Sequence, residues 1–399
     1  MAANREARMK GELDAVVAGH LCIDLFPVFR HRAKAVADYF RPGTLVHMGA
    51  MEMGTGGAVS NTGLAMKKFG LEMGFIARVG GDELGAATKA ALARHGRIEG
   101  IKVDRGSGSS YSVVLAPEGV DRIFLHHQGP NDRFTHRDVD WGLVKRARLF
   151  HFGYPTLMGA FSAREGETAS LMRAAKAAGA TSSLDLSLPD PASEAGKADW
   201  RRILALALPH VDVFVPSLEE AFFCMHPGEY LRRKKKHRGA ELLDHIAPRE
   251  VRDLGARFLE LGAAIAVVKC GYHGWYVRSG SAARLAKLGR ARPKDSAAWA
   301  DRELWCPAFR VEKIASATGS GDASIAGFLT ALLRGVPLVH AVRMANTAGW
   351  MNLRAFDALS GIGSWNETER TLTRLVPRDN GFLRKDGWIW DEREKLWKR

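Results

Sequence analysis

Residues 316–328 read SATGSGDASIAGF, two glycines among small residues running straight into a helical pattern with Ile325, Phe328, Leu329, Leu332 and Leu333 at helical spacing. Arg334, Gly335 and Pro337 then stop that helix with a basic last turn, a glycine just past its end and a proline beyond. The glycine turn therefore sits at a helix N-terminus. Unpaired backbone N–H groups and the positive end of the helix dipole attract an anion there, and glycine lets a phosphate approach the main chain closely. Asp322 stands beside that anion site. A carboxylate so placed repels a phosphate unless it has a task, and accepting the proton of an attacking hydroxyl is the obvious one. An aspartate after a Gly-rich turn is also an ordinary N-cap, and this stretch alone leaves base and cap open.

A second cluster, GTGGAVSN at residues 54–61, precedes another helical pattern. Gly56 and Gly57 would let ligand hydroxyls reach the backbone, and Asn61 offers both donor and acceptor to a polyol; a simple helix-capping turn is the alternative. Asp24 in GHLCIDL (19–25) is expected to end the first strand, where ligands bind in open α/β sheets, or else to be a turn acid. Glu220 follows a strand in VPSLEEA (215–221), placed to hold water on a Mg²⁺ or to complement the helix dipole. The turn KCGYHG (269–274) is suited to packing against a nucleotide base or to an ordinary hairpin. Asp82 in VGGDELG is expected to be a structural N-cap. The histidines show no metal-ligand spacing, and the P-loop, G-x-G-x-x-G, G-x-S-x-G and H-E-x-x-H patterns are all missing.

The elements that must position these residues alternate. Apolar runs at 15–18, 74–77, 149–152, 211–215 and 265–268 are too short for helices and are separated by longer amphipathic segments. That alternation predicts a mostly parallel sheet with helices on both faces, a three-layer α/β/α core. Residues 25–53 and 102–131, with runs at 111–115 and 122–126 and a turn at 117–119, predict a small separate sheet of antiparallel type. The core is then assembled from 1–24, 54–101 and 132–399. The basic stretch 230–238 (YLRRKKKHR) and residues 281–302 lack a continuing apolar period and are expected to be surface loops.

The chain has 399 residues, 46% hydrophobic and 26% charged, which excludes disordered and collagen-like classes. Its net charge of +14 favours polyanionic partners or phosphorylated ligands without choosing between them. No long apolar run predicts a membrane span, and the N-terminal stretch does not read as a signal peptide, so a cytoplasmic protein is expected. Cys22, Cys224, Cys270 and Cys306 are dispersed and fit reduced, buried thiols.

Taken in order, an acid after strand one, Gly-Gly…Asn, Gly-Asp near 82, an acidic strand end near 220, a Gly turn near 271 and a terminal Gly-x-Gly-Asp helix resemble the ribokinase/PfkB family of carbohydrate kinases over residues 15–376. The resemblance implies an ATP- and Mg²⁺-dependent sugar kinase with a ribokinase-like core and a small β lid, lids of this family often pairing between subunits. It implies Asp322 as the base and the amides of Gly319, Ser320 and Gly321 as an anion hole. Asp24, Gly56, Gly57 and Asn61 match its sugar contacts, Glu220 its magnesium acid, and Thr318, Gly271, Gly274 and Asn346 its nucleotide contacts. Ser217 and Ser316 depart from the usual Asn and Asp, which weakens the expected phosphate–metal organisation and leaves activation by a monovalent cation open. The segment 230–238 and the tail after Val376 have no counterpart and are expected to cover a subunit surface. A nucleoside kinase of the same fold, with Phe26 or Phe124 clamping a base, and a catalytically weak regulatory member are the rival readings; nucleic-acid binding through 232–238 lacks interleaved aromatics and is disfavoured.

Overall fold

The structure is a computed structural model that describes residues 11–30, 39, 42–117 and 123–399. Its strands are β1 (Leu13–Gly19), β2 (Cys22–Phe29), β3 (Met48–Gly56), β4 (Met73–Gly80), β5 (Arg97–Asp104), β6 (Tyr111–Leu115), β7 (Ile123–His127), β8 (Ala147–Gly153), β9 (Thr181–Leu184), β10 (Val213–Phe214), β11 (Ile265–Lys269), β12 (Trp275–Ser279), β13 (Glu303–Cys306), β14 (Ile389–Asp391) and β15 (Leu396–Lys398). Eleven of them form one sheet in the order β14-β15-β13-β12-β11-β10-β9-β8-β1-β4-β5. From β5 to β11 every pairing is parallel, and β12, β13, β15 and β14 extend the sheet antiparallel.

Successive residues of the parallel strands face opposite layers, as the period of two requires. Ala15 and Val17 of β1, with Ile265 and Val267 of β11, pack under the helices Ala58–Lys68, Ser320–Arg334 and Leu338–Asn352. Val16 and Ala18, with Ala266 and Val268, face the helices Glu167–Ala177, Trp200–Ala207, Leu218–Met225 and Pro248–Leu261. Sheets buried on both faces need near-continuous apolar strands, which is why these runs stood out in the sequence. No helix among the described residues is long and apolar enough to cross a membrane.

The small sheet has the order β3-β2-β6-β7. It is not wholly antiparallel, because β2 and β6 run parallel. Asp24 does not end the first core strand: β1 stops at Gly19, and after His20 and Leu21 the chain begins β2, so Asp24 is the third residue of a small-sheet strand. The expected turn at 117–119 falls partly outside the described residues.

Two further expectations are corrected. The basic stretch is the body of a helix, Pro227–Lys236, with proline in its first turn. Arg233 bridges Glu229 and Glu250, Lys234 meets Glu219, and Tyr230 is buried. One pairing at helical spacing, Glu229 with Arg233, and two to neighbouring elements hold a helix that lacks a broad apolar face. Residues 281–302 are irregular apart from two short helices, yet Leu285, Leu288 and Trp299 are buried in the core. The tail also packs on its own chain: β15 adds to β13, and Trp388 lies 5.9 Å from Trp305 and 6.1 Å from Tyr276, ring to ring.

Trp388 is 3% exposed, so Trp388→Ala should lower the unfolding free energy by about 3–5 kcal/mol, read by urea denaturation. A second prediction concerns pH. Burial holds the imidazoles of His20 and His151 at about 3, helped by His126 and Lys269 respectively. Both are neutral when folded, whereas the unfolded chain takes up their protons below about 6.5. Stability should therefore fall as pH drops from about 6.5 toward 3, by up to about 1.4 kcal/mol per pH unit for each histidine. Unfolding midpoints at pH 7, 6 and 5 should show the decline, and His151→Gln should flatten it; a profile level over that span contradicts the burial argument.

Candidate active site

The helix Ser320–Arg334 begins at Gly319, whose left-handed conformation (φ 72°) suits a residue without a side chain and turns the chain sharply into the first turn. Asp322 is the third residue of that helix and is 4% exposed. Its carboxylate accepts from Asn61 Nδ2 at 3.1 Å, from Thr62 Oγ1 at 3.1 Å, and from the Tyr154 hydroxyl, which lies 2.8 Å from each oxygen. Charge-assisted bonds of this kind stabilise an ionised carboxylate in a place poor in water. Asp322 is thus no helix cap. The Gly319 helix has no side-chain cap bond, and the aspartate is held by residues from two other elements.

Asn61 and Thr62 come from the helix Ala58–Lys68, which starts at Gly57 with φ 82°. A side chain at Gly57 would collide with His20, and one at Gly56 would collide with the Asp24 carboxyl. The two glycines therefore let the small sheet and the core close on each other. Asn61 was expected on the sugar; its amide N–H donates to the Asp322 carboxylate, while its buried Oδ1 has no partner among the described residues. Asp24 accepts from the Cys22 thiol at 3.4 Å, and burial raises its pKa above the ordinary carboxylate value. Across the same junction the His20 ring meets His126 of β7 at 3.1 Å, and His126 meets Ser112 at 3.0 Å.

Of the three amides expected to form an anion hole, that of Ser320 is engaged, donating to the Ala317 carbonyl at 3.2 Å. This corrects the expectation of three converging donors. The amides of Gly319 and Gly321 have no acceptor among the described residues, so two remain. Thr318 is tied back by its amide to Ser316 Oγ and by its carbonyl to Asn352.

Glu220 caps its own helix: it accepts from the Ser217 amide at 2.6 Å while Ser217 Oγ accepts from the Glu220 amide. Burial raises its pKa against the pull of Lys269. Among the described residues no three histidines, cysteines or acids are grouped closely enough to hold a metal ion. Gly271 and Gly274 shape the turn after β11, with the Cys270 amide donating to the Gly274 carbonyl at 2.7 Å. Asn346 donates to the carbonyls of Cys306 (3.0 Å) and Pro307 (3.1 Å), so its amide N–H protons serve the backbone of that wall. A surface cavity of about 860 Å³ is lined by Cys270 and His273 of this turn with Leu243 and Arg233, and does not include Asp322.

Three residues escaped the sequence reading. Tyr154 follows β8 in a left-handed conformation (φ 66°), Asp185 follows β9, and Lys269 ends β11; the Lys269 ammonium lies 2.8 Å from Asp185. A backbone strained in this way in a non-glycine residue persists where the surroundings enforce it. Burial, Asp322 and Asp185 push the Tyr154 hydroxyl well above its ordinary pKa, so it stays a donor. Burial opposes the charge on Lys269, but Asp185, Glu220 and Asp322 outweigh it and hold the ammonium above the usual lysine value. All three sit at carboxyl ends of parallel strands, the rule already applied to Asp24, and that rule would have found them.

A family model described as pfkB family carbohydrate kinase matches residues 13–362. Fructokinase-2 of Zea mays is 30% identical over 168 residues, 40% of this chain, so the chain spans half the length of that relative. Among solved structures, Arabidopsis thaliana ribokinase complexed with ribose and ATP superposes with a TM-score of 0.65 at 15% identity, over 90% of this chain and 99% of that one. A fructokinase with bound ATP from Xylella fastidiosa gives 0.64 at 17% identity, over 90% and 98%. The small sheet and the parallel core accord with these matches, and the chain belongs to the pfkB family of carbohydrate kinases.

Proposed function

We propose that the protein transfers the γ-phosphoryl group of ATP to a hydroxyl of a sugar or sugar-like alcohol. The observation that carries this reading is the Asp322 carboxylate, buried in the first turn of a helix beside the unengaged amides of Gly319 and Gly321. An alcohol entering the cleft takes over one of the contacts now made by Tyr154 and gives its proton to Asp322, while the two amides stabilise charge on the phosphoryl group. Asp24, with its raised pKa, and the unpartnered Oδ1 of Asn61 supply further contacts for substrate hydroxyls. The small sheet acts as a lid that excludes water from ATP.

Mg²⁺ fits this donor set as a hard cation held by carboxylates acting through water and by nucleotide phosphates, since the chain offers no closed cage of its own. Glu220 is the residue that would hold its waters, and the ion would neutralise phosphate charge. The outer face of the lid exposes Met51, Met53, Ile123 and Leu125, which supports pairing of two copies there.

A nucleoside acceptor is the second reading. Cross-strand register sets Asp24 opposite Ser112, Ser112 opposite His126 and Val114 opposite Phe124, so Phe124 shares a face of the small sheet with Asp24, as does Phe26. An ATP-coupled assay over a panel of hexoses, pentoses and nucleosides separates the two, and transfer to none of them would favour a binding protein. With the best acceptor, Asp322→Asn should lose about 10²- to 10⁴-fold in turnover while ATP affinity is kept. Turnover near that of the unaltered protein would refute the base assignment.

A further inference from the structure

Lys269 is the last residue of β11, two residues ahead of Gly271. Its side chain is 10% exposed, and among the described residues only Asp185 takes a hydrogen bond from its ammonium. Two of its three protons are thus left without a protein acceptor. A buried cation is stable only when its charges and hydrogen bonds are met, so an ammonium with protons to spare points to a missing acceptor.

The position of the group indicates what that acceptor is. A side-chain carbon built on Gly321 would lie 3.9 Å from Lys269 Nζ, with nothing else within 4 Å. The ammonium therefore lies beside the open face of Gly321, whose amide has no acceptor either. Three carboxylates, Asp185, Glu220 and Asp322, surround it and hold it charged. A phosphate arriving among them meets repulsion everywhere except at the two glycine amides and this one cation. Ser217, paired in register with Lys269, carries no charge that could substitute for it.

We infer that Lys269 is a catalytic residue whose ammonium binds an oxygen of the γ-phosphoryl group, completing with the Gly319 and Gly321 amides the anion site that loses Ser320 to the Ala317 carbonyl. The inference rests on the phosphoryl-transfer reading and adds a residue to it. In the step, the acceptor oxygen forms a bond to the γ-phosphorus and its proton passes to Asp322. The bond from that phosphorus to the β,γ-bridging oxygen breaks, and its electron pair stays on ADP. Lys269 remains charged throughout and follows the phosphoryl oxygens, where charge is concentrated. Asp185 is a positioning residue that holds the ammonium in place.

Two variants test this, because removing the lysine alone leaves a buried carboxylate unpaired and can impair folding. In Lys269→Met, and in the charge-balanced pair Lys269→Met with Asp185→Asn, turnover with the best acceptor should fall about 10²- to 10³-fold. The KM for the acceptor should stay within about threefold. Calorimetry should show affinity for the β,γ-imido analogue of ATP reduced at least about tenfold while that for ADP is nearly unchanged, since ADP lacks the contacted group. Equal loss for both nucleotides, or turnover in the folded double variant close to that of the unaltered protein, overturns the role of Lys269. If Asp322→Asn is inactive while the lysine variants keep turnover, only this inference falls. If the unaltered protein transfers phosphate from ATP to no acceptor of the panel, the phosphoryl-transfer reading falls and this inference with it.

Discussion

A carboxylate removed from water at the mouth of a helix is the constraint on which the arrangement turns. Asp322 is tolerable there because Asn61, Thr62 and Tyr154 each bring it a donor, and those residues come from the helix Ala58–Lys68 and from the turn after β8. An acid left without such partners would either take up a proton or destabilise the fold. Helix, turn and strand end must consequently arrive together, and the cleft is assembled by the same contacts that make it chemically competent.

The sheet supplies the platform. Tyr154, Asp185 and Lys269 leave β8, β9 and β11 at the same edge, because parallel strands deliver their carboxyl ends to one side. The core beneath them is apolar on both faces. Rigidity at the platform matters for the proposed transfer, which rests on placement and field, because small displacements weaken every interaction at once.

Much of this was legible in the sequence, and the failures have identifiable causes. The buried parallel strands announce themselves as apolar runs, and the Gly-x-Gly-Asp turn as a break before a helix. The contact between Asn61 and Asp322 spans 261 positions of chain, so nothing local reports it. Tyr154 and Lys269 are single residues with no spacing partner, visible only once the strand ends are known. The segment 230–238 misled because its charges pair with Glu219, Glu229 and Glu250, all of which lie outside it; ion pairs there do the work usually done by an apolar stripe. Ser320 illustrates a finer limit: composition marks the turn, but which of its amides folds back on Ala317 depends on dihedral angles.

The junction between the two sheets has a mechanical corollary. On one side β1 passes to β2 through His20 and Leu21 alone, and the side-chain amide of Asn131 grips Leu21 by both its N–H and its carbonyl. On the other side β3 ends at Gly56, one residue before the helix that carries Asn61 and Thr62. Both of these short crossings are made beside a glycine of positive φ, Gly19 on the one side and Gly57 on the other. A shift of the outer sheet would pass through Gly57 to the helix that steadies Asp322, so the position of that sheet and the alignment of the acid are geared to one another at this crossing, with no longer relay needed.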